Sequence, residues 1–251
     1  MKKWLSAVPL SLMIGVSVQA AGENCDNFVA GMTCFENGTT AKADEVNANF
    51  KALLEKISQI GNGGGSTGGI VSYTRWGRNS CPDGAELIYK GFAASSAHNH
   101  GGGISSLLCL TETPTFDVGN ISDGNQNGVR LYGTEYQGIG YGIESLIPLN
   151  NKDAPCAVCL KQAALTLMIP GTMDCPTGWH KEYEGYLMGT KYNQSSTHEV
   201  ACVDINAEES PLSSDANNNG NLWYPTEAEC GSLPCSPYVQ DRELSCVVCS
   251  K

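Results

Sequence analysis

The chain states one pattern twice, and the pattern is written in cysteines. Cys81-Pro82-Asp83-Gly84 returns as Cys175-Pro176-Thr177-Gly178, and Tyr89-Lys90-Gly91-Phe92 returns as Tyr183-Glu184-Gly185-Tyr186. Cys109-Leu110 is echoed by Cys202-Val203, and Cys156-Ala157-Val158-Cys159 by Cys246-Val247-Val248-Cys249. The order is kept, with 28 residues from first to second cysteine in one copy and 27 in the other. Self-similarity of this kind sets the architecture before local propensity does. It predicts a pseudo-twofold body of two cross-linked halves, 70–160 and 161–251.

What those cysteines do depends on the compartment. Lys2 and Lys3 precede an apolar run from Ala7 to Val18, which closes on Val18-Gln19-Ala20. A charged start, an apolar centre and a small-residue cleavage site describe a removable export signal over 1–20. The apolar run is shorter than the ~20 residues that cross a bilayer, so no membrane insertion is expected. All 12 cysteines follow the cleavage site. An even count in an exported chain predicts a disulfide framework rather than metal ligands or a catalytic thiol. In each Cys-x-x-Cys pair, the two sulfurs more naturally reach different partners than each other. Loss of Lys2 and Lys3 takes the formal charge from −11 to −13. Such an excess of acid argues against nucleic acid and anionic membrane surfaces as partners.

Residues 21–60 hold Cys25 and Cys34, expected to close a small loop, and then a helical stretch. Thr40 or Asp44 can cap it, and Val46, Phe50, Leu53, Ile57 and Ile60 follow at steps of 4, 3, 4 and 3. That is a heptad seam, with Phe50 and Ile57 at one core position and Val46, Leu53 and Ile60 at the other. A lone helix of this length is marginal in water. It must bury the seam, either against sister chains as a short coiled-coil stalk or against its own body. Bulky and β-branched residues at both core positions favour three strands. A Gly-rich linker at 61–69 follows, flexible by composition and without a collagen period. Beyond it, strands are predicted over 70–76, 86–89, 106–110, 129–132, 165–169, 183–187, 199–203 and 222–224, separated by Gly, Pro and Asn clusters. The fold class expected is all-β: tandem disulfide-rich β-hairpin repeats behind a short N-terminal coiled-coil helix.

Tyr73-Thr74-Arg75-Trp76-Gly77-Arg78 before Cys81-Pro82, and His98-x-His100-Gly101-Gly102-Gly103 before Cys109-Leu110, resemble the carboxy-terminal domain of sponge short-chain collagens (spongin). Cys230-Gly231-Ser232-Leu233-Pro234-Cys235 and the closing Glu243 to Cys249 do so as well. That domain is itself similar to the non-collagenous terminal domain of type IV collagen. The resemblance covers 70–251 and implies a nested pairing: Cys81 with Cys159, Cys109 with Cys156, Cys175 with Cys249, Cys202 with Cys246, and Cys230 with Cys235. The first half lacks the inner pair, and the chain lacks a Gly-X-Y tract, for which the heptad stalk would substitute.

Several residue groups suggest chemistry. Asp123, Asn125 and Asn127 precede Glu135, while Asp215, Asn217 and Asn219 precede Glu227. Alternating oxygen donors, a glycine and a downstream glutamate suit calcium as a cofactor, although the glutamate sits one position late and no helices flank the loops. Asn-Gly between strands is also a hairpin-turn signal, which is the favoured reading. His98 and His100 would share a strand face and could take zinc or copper with a third ligand; exposed polar histidines are the simpler reading. Arg75, Trp76 and Arg78 could form an aromatic platform for a sugar or anion, or else a buried Trp stacked by arginine stems. Asn37, Asn120 and Asn193 begin glycosylation sequons. No nucleophile elbow, zinc-protease motif or phosphate loop occurs.

The function expected is therefore non-enzymatic: a secreted structural or adhesion protein that self-associates, as a trimer, for assembly or for binding matrix, cell surface or glycan. A lectin-like carbohydrate-binding module is the alternative, and an unrecognised secreted hydrolase a third.

Overall fold

The structure, a computed structural model, describes residues 32–35, 40–62, 69–117, 119, 124–138, 143–213 and 216–251, with side chains left out for 57–62. The export signal, Cys25, Asp123 and Asp215 lie outside these residues, as do the sequons at Asn37 and Asn120. The chain divides into two compact units, Met1–Thr67 and Gly68–Lys251.

In the first unit, α1 (Ala43–Asn62) starts one residue before Asp44. Asp44 and Glu45 thus lie in its first turn, where carboxylates favour the positive helix end. Neither Thr40 nor Asp44 is the residue just outside the helix. Asn49 holds the preceding segment: its amide accepts from the Thr33 N–H and donates to the Thr33 carbonyl, both at 2.6 Å. Cys34 is disulfide-bonded.

The second unit is one mixed sheet of ten strands. These are β1 (Ile70–Trp76), β2 (Glu86–Ser95), β3 (Leu108–Thr111), β4 (Tyr132–Tyr136), β5 (Pro155–Gln162), β6 (Thr166–Pro170), β7 (His180–Gly189), β8 (Ala201–Asp204), β9 (Asn221–Pro225) and β10 (Ser245–Ser250). A short 3-10 helix, Glu144–Leu149, precedes β5. β5 lies between β1 and β2, antiparallel to both, so sequence neighbours are split rather than joined as a meander of hairpins. β10 lies likewise between β6 and β7. β3 and β4 flank β2, and β8 and β9 flank β7. Parallel contacts of β1 with β8 and of β4 with β9 carry the sheet across residues 161–165. Because β9 also pairs with β7, the path β7-β8-β1-β5-β2-β4-β9 closes on itself.

The cysteine motifs explain the central strands. Within a strand, residues three apart point to opposite faces. Cys156 therefore bonds Cys109 on β3, while Cys159 bonds Cys81 in the loop between β1 and β2. Cys246 and Cys249 repeat this with Cys202 and Cys175, and Cys230 bonds Cys235. The Cα separations of 5.4–5.9 Å are those a disulfide prefers. Before β2, Ala85 N–H bonds the Pro82 carbonyl across Gly84, whose φ is +80°. Trp179 does the same to Pro176 across Gly178, at +83°. Such turns need a left-handed third residue, which accounts for the repeated Cys-Pro-x-Gly.

Two buried clusters fill the body. Tyr136, Leu146, Met188, Val203 and Trp223 belong to one, and Tyr73, Ala157, Tyr183, Leu187 and Val248 to the other. Each draws on both stretches, 70–160 and 161–251, so neither stretch has a core to itself.

Candidate functional site

The residues expected to form a ligand platform sit where β1 meets β7 and β8. Trp76 pairs with Val203 in parallel, and its ring meets Trp223 edge-on at 5.9 Å against the first core cluster. Arg75 Nε is 2.7 Å from the buried Asp204 carboxylate, and its Nη1 donates to the Ser80 carbonyl. Arg78 pairs with Glu208 at 3.2 Å and donates to the Asn206 carbonyl. All three are thus spent on the internal junction; the packing demand of a large indole and the desolvation of Asp204 outweigh any role as an open platform.

Deeper in the junction lies a polar network that the sequence did not single out. The Tyr73 hydroxyl donates to Glu182 Oε2 at 2.8 Å, the Ser250 hydroxyl to Glu182 Oε1, and Lys161 Nζ is 3.2 Å from the same oxygen. A buried carboxylate needs such partners. Burial and the adjoining Glu182 push the Tyr73 hydroxyl far above the usual tyrosine range, and burial does the same to Tyr183. The Tyr183 hydroxyl lies 3.0 Å from the Cys202 carbonyl and 3.1 Å from that of Thr74. One signal was available: Glu182 takes the repeat position that Ile88 takes in the first copy, a charge in place of an apolar residue.

Among the described residues of the Asp-Asn-Gly loops, the donors do not gather as two independent sets. Asn125 Oδ1 accepts from Asn127 N–H at 2.8 Å, and Asn127 and Asn219 have φ of 57° and 51°. These are features of tight turns. Glu135, expected to serve the first loop, instead accepts from the N–H groups of Asn218 and Asn219 in the second, at 2.9 and 3.0 Å. Burial raises its carboxyl above the usual range. The main chain of Glu227 forms an isolated antiparallel bridge with that of Glu243. His98 and His100 are not on a strand: β2 ends at Ser95, and a turn follows in which His100 N–H bonds the Ala97 carbonyl. His98 Nδ1 faces the Asn219 carbonyl at 3.0 Å, while His100 meets the Tyr132 ring edge-on at 5.3 Å. Among the described residues no group of three or more His, Cys, Asp or Glu is placed to hold a metal ion.

A cleft of about 750 Å³ lies elsewhere, between the ends of β7 and β9. Tyr192 and Tyr224 line it with Lys191, Glu227, Glu229 and Glu243. Lys191 Nζ sits 5.6 Å above the Tyr224 ring. Tyr192 is exposed. Among the described residues no helix is long and apolar enough to cross a membrane. No known protein-family model matches the chain.

Proposed function

We propose that this is an exported, non-enzymatic structural or adhesion protein that self-associates as a trimer through α1 and presents its β body to matrix or cell surface. One observation carries the reading: among the described side chains of α1, apolar residues of the stripe stand exposed. Phe50 is 62% exposed, and Leu53 and Leu54 beside it are exposed too. An isolated helix with such a stripe gains most of its stability from a partner. The likeness of 70–251 to sponge short-chain collagen termini and the disulfide-bonded body support the same reading. Sedimentation of the full mature chain tests it. The wild type should be an oligomer at micromolar concentration, and Phe50→Asp with Leu53→Asp should make it dissociate on dilution. A wild type that is monomeric throughout overturns the reading.

We further read the body as a tandem duplication. β1, β2, β3, β4 and β5 correspond to β6, β7, β8, β9 and β10, because each set has the same neighbours and the registers coincide. Cys156 faces Trp76 and Gly91 where Cys246 faces Pro170 and Gly185.

The cleft of Tyr192 and Tyr224 favours a second reading, a glycan-binding module, since aromatic faces beside carboxylates suit sugar rings. Glycan-array binding that vanishes in Tyr224→Ala with the disulfides intact would support it; no binding by the wild type would remove it.

A further inference from the structure

The cleft at the ends of β7 and β9 holds charge that the β body does not use. Glu227 and Glu243 stand opposite each other across an isolated antiparallel bridge. The Ala228 N–H bonds the Arg242 carbonyl, and the Leu244 N–H bonds that of Thr226. Those bonds flank the bridge, so Glu227 and Glu243 are a non-hydrogen-bonded pair, the kind whose side chains stand closest and on one face. Like charges placed in this way are destabilising. Among the described residues neither carboxylate forms an ion pair. Both line the cleft, and Glu229 beside them accepts from the Gln240 amide at 2.7 Å.

Two rings and a cation share the same space. Tyr192 is 91% exposed, and Tyr224 is half-buried. Gly138 gives the Tyr224 ring its room: φ there is +65°, and a Cβ would come within 2.6 Å of the ring. Lys191 Nζ lies over that ring at 5.6 Å, so its face already receives a cation rather than a packed side chain. Lys191 is exposed on a turn closed by the Gln194 N–H, which leaves its ammonium able to withdraw without disturbing a strand. In the cleft wall the Thr190 hydroxyl oxygen is buried without a hydrogen-bond partner. A polar group left so in the wall of a cleft points to a partner supplied from outside.

We propose that the sugar this cleft takes is a basic one: an amino sugar whose free ammonium sits between Glu227 and Glu243 while its ring lies on the tyrosines. This rests on the glycan-binding reading above and names the ligand class.

Charge excludes one neighbouring class. A uronate or a sulfated sugar would bring more negative charge to three glutamates in a chain of formal charge −11. A neutral sugar would leave the repulsion between Glu227 and Glu243 in place, whereas an ammonium between them turns it into attraction on both sides. Main-chain pairing excludes another. An extended basic peptide gains much of its affinity from a free strand edge. Here Tyr224 and Pro225 pair with Gly189 and Met188, and Thr226 is bonded through its N–H to Leu187 and through its carbonyl to Leu244. What remains open is side chain, in a space of about 750 Å³, the size of a small-molecule site. Lys191 is then a tethered competitor, which holds the place of the ligand's charge until the ligand arrives.

The test is calorimetric titration of the full mature chain at about pH 5.5, above the ordinary glutamate range. A glucosamine oligomer is compared with its N-acetylated form, which keeps the ring and loses the charge. The charged form should bind about tenfold tighter or more, and raising salt should narrow the gap. Glu227→Gln with Glu243→Gln should bring the two forms level. Lys191→Ala should tighten the charged form alone, because it removes a competing cation. Non-reducing peptide maps and melting curves check that each variant keeps its fold. An acetylated oligomer that binds as well as the charged one overturns the proposal and leaves the glycan reading standing. Selectivity that survives in the double glutamine variant, or a charged form that binds Lys191→Ala no better, overturns it too. An oligolysine that binds as tightly as the glucosamine oligomer does so as well, since charge alone would then suffice. Binding of neither oligomer by the wild type ends both readings of the cleft.

Discussion

Gly91 and Gly185 occupy points where no side chain fits. A Cβ on Gly91 would lie 1.5 Å from the Leu110 carbonyl oxygen, and one on Gly185 1.8 Å from that of Val203. In both cases the obstacle is backbone, which cannot rotate aside. Gly185→Ala should therefore lower the melting temperature by an amount matching about 2 kcal/mol or more, a large overpacking cost. An unchanged melting curve would mean that β8 is free to shift. Glu135 offers a titration instead. Burial holds its carboxyl above the unfolded value of about 4.3. Within that window the folded state binds more protons than the unfolded one, so stability falls as pH rises through it. Glu135→Gln keeps an acceptor for the Asn218 and Asn219 N–H groups and should flatten this slope in denaturant titrations between pH 4 and 7. These residue-level facts were only half legible. The repeated Tyr-x-Gly was visible in the sequence, but its reason, a carbonyl pressed against the glycine, depends on residues 19 and 18 positions downstream. That Glu135 serves the other loop depends on a β4–β9 pairing no local pattern announces.

At the scale of elements, β1 was readable to the residue, because Ile70 to Trp76 is a β-branched and aromatic run after a Gly-rich stretch. β5 and β10 were not read as strands. They are buried on both sides, which erases the polar alternation that marks a strand. Their cysteines suggested a disulfide clasp, which they are, and masked the ladder that carries it. The extended reading of His98 and His100 failed for the opposite reason: polar residues after β2 close a turn that composition alone does not fix. The clasps differ in weight. By loop entropy alone, the 47-residue separation of Cys109 and Cys156 is worth about 4 kcal/mol, against about 2 for the 5-residue separation of Cys230 and Cys235. Replacing each pair by alanines should reproduce that order in denaturant midpoints; equal losses would point to native packing rather than loop closure.

For the whole molecule, charge and apolar surface act against each other. A chain with a formal charge of −11 repels its own copies. Raising salt from about 20 to about 200 mM shortens the reach of that repulsion and should tighten association in sedimentation. Loosening would instead mean that opposite charges hold the copies together. The placement of paired sulfurs on opposite sheet faces also bears on how the protein matures. A Cys156–Cys159 bridge would have to form across the strand's own thickness, so the nearest thiols in the sequence are the least able to join once β5 is extended. Oxidative refolding should accordingly show little of that short-range isomer, and the native bridges should close only after β5 has threaded between its two neighbours.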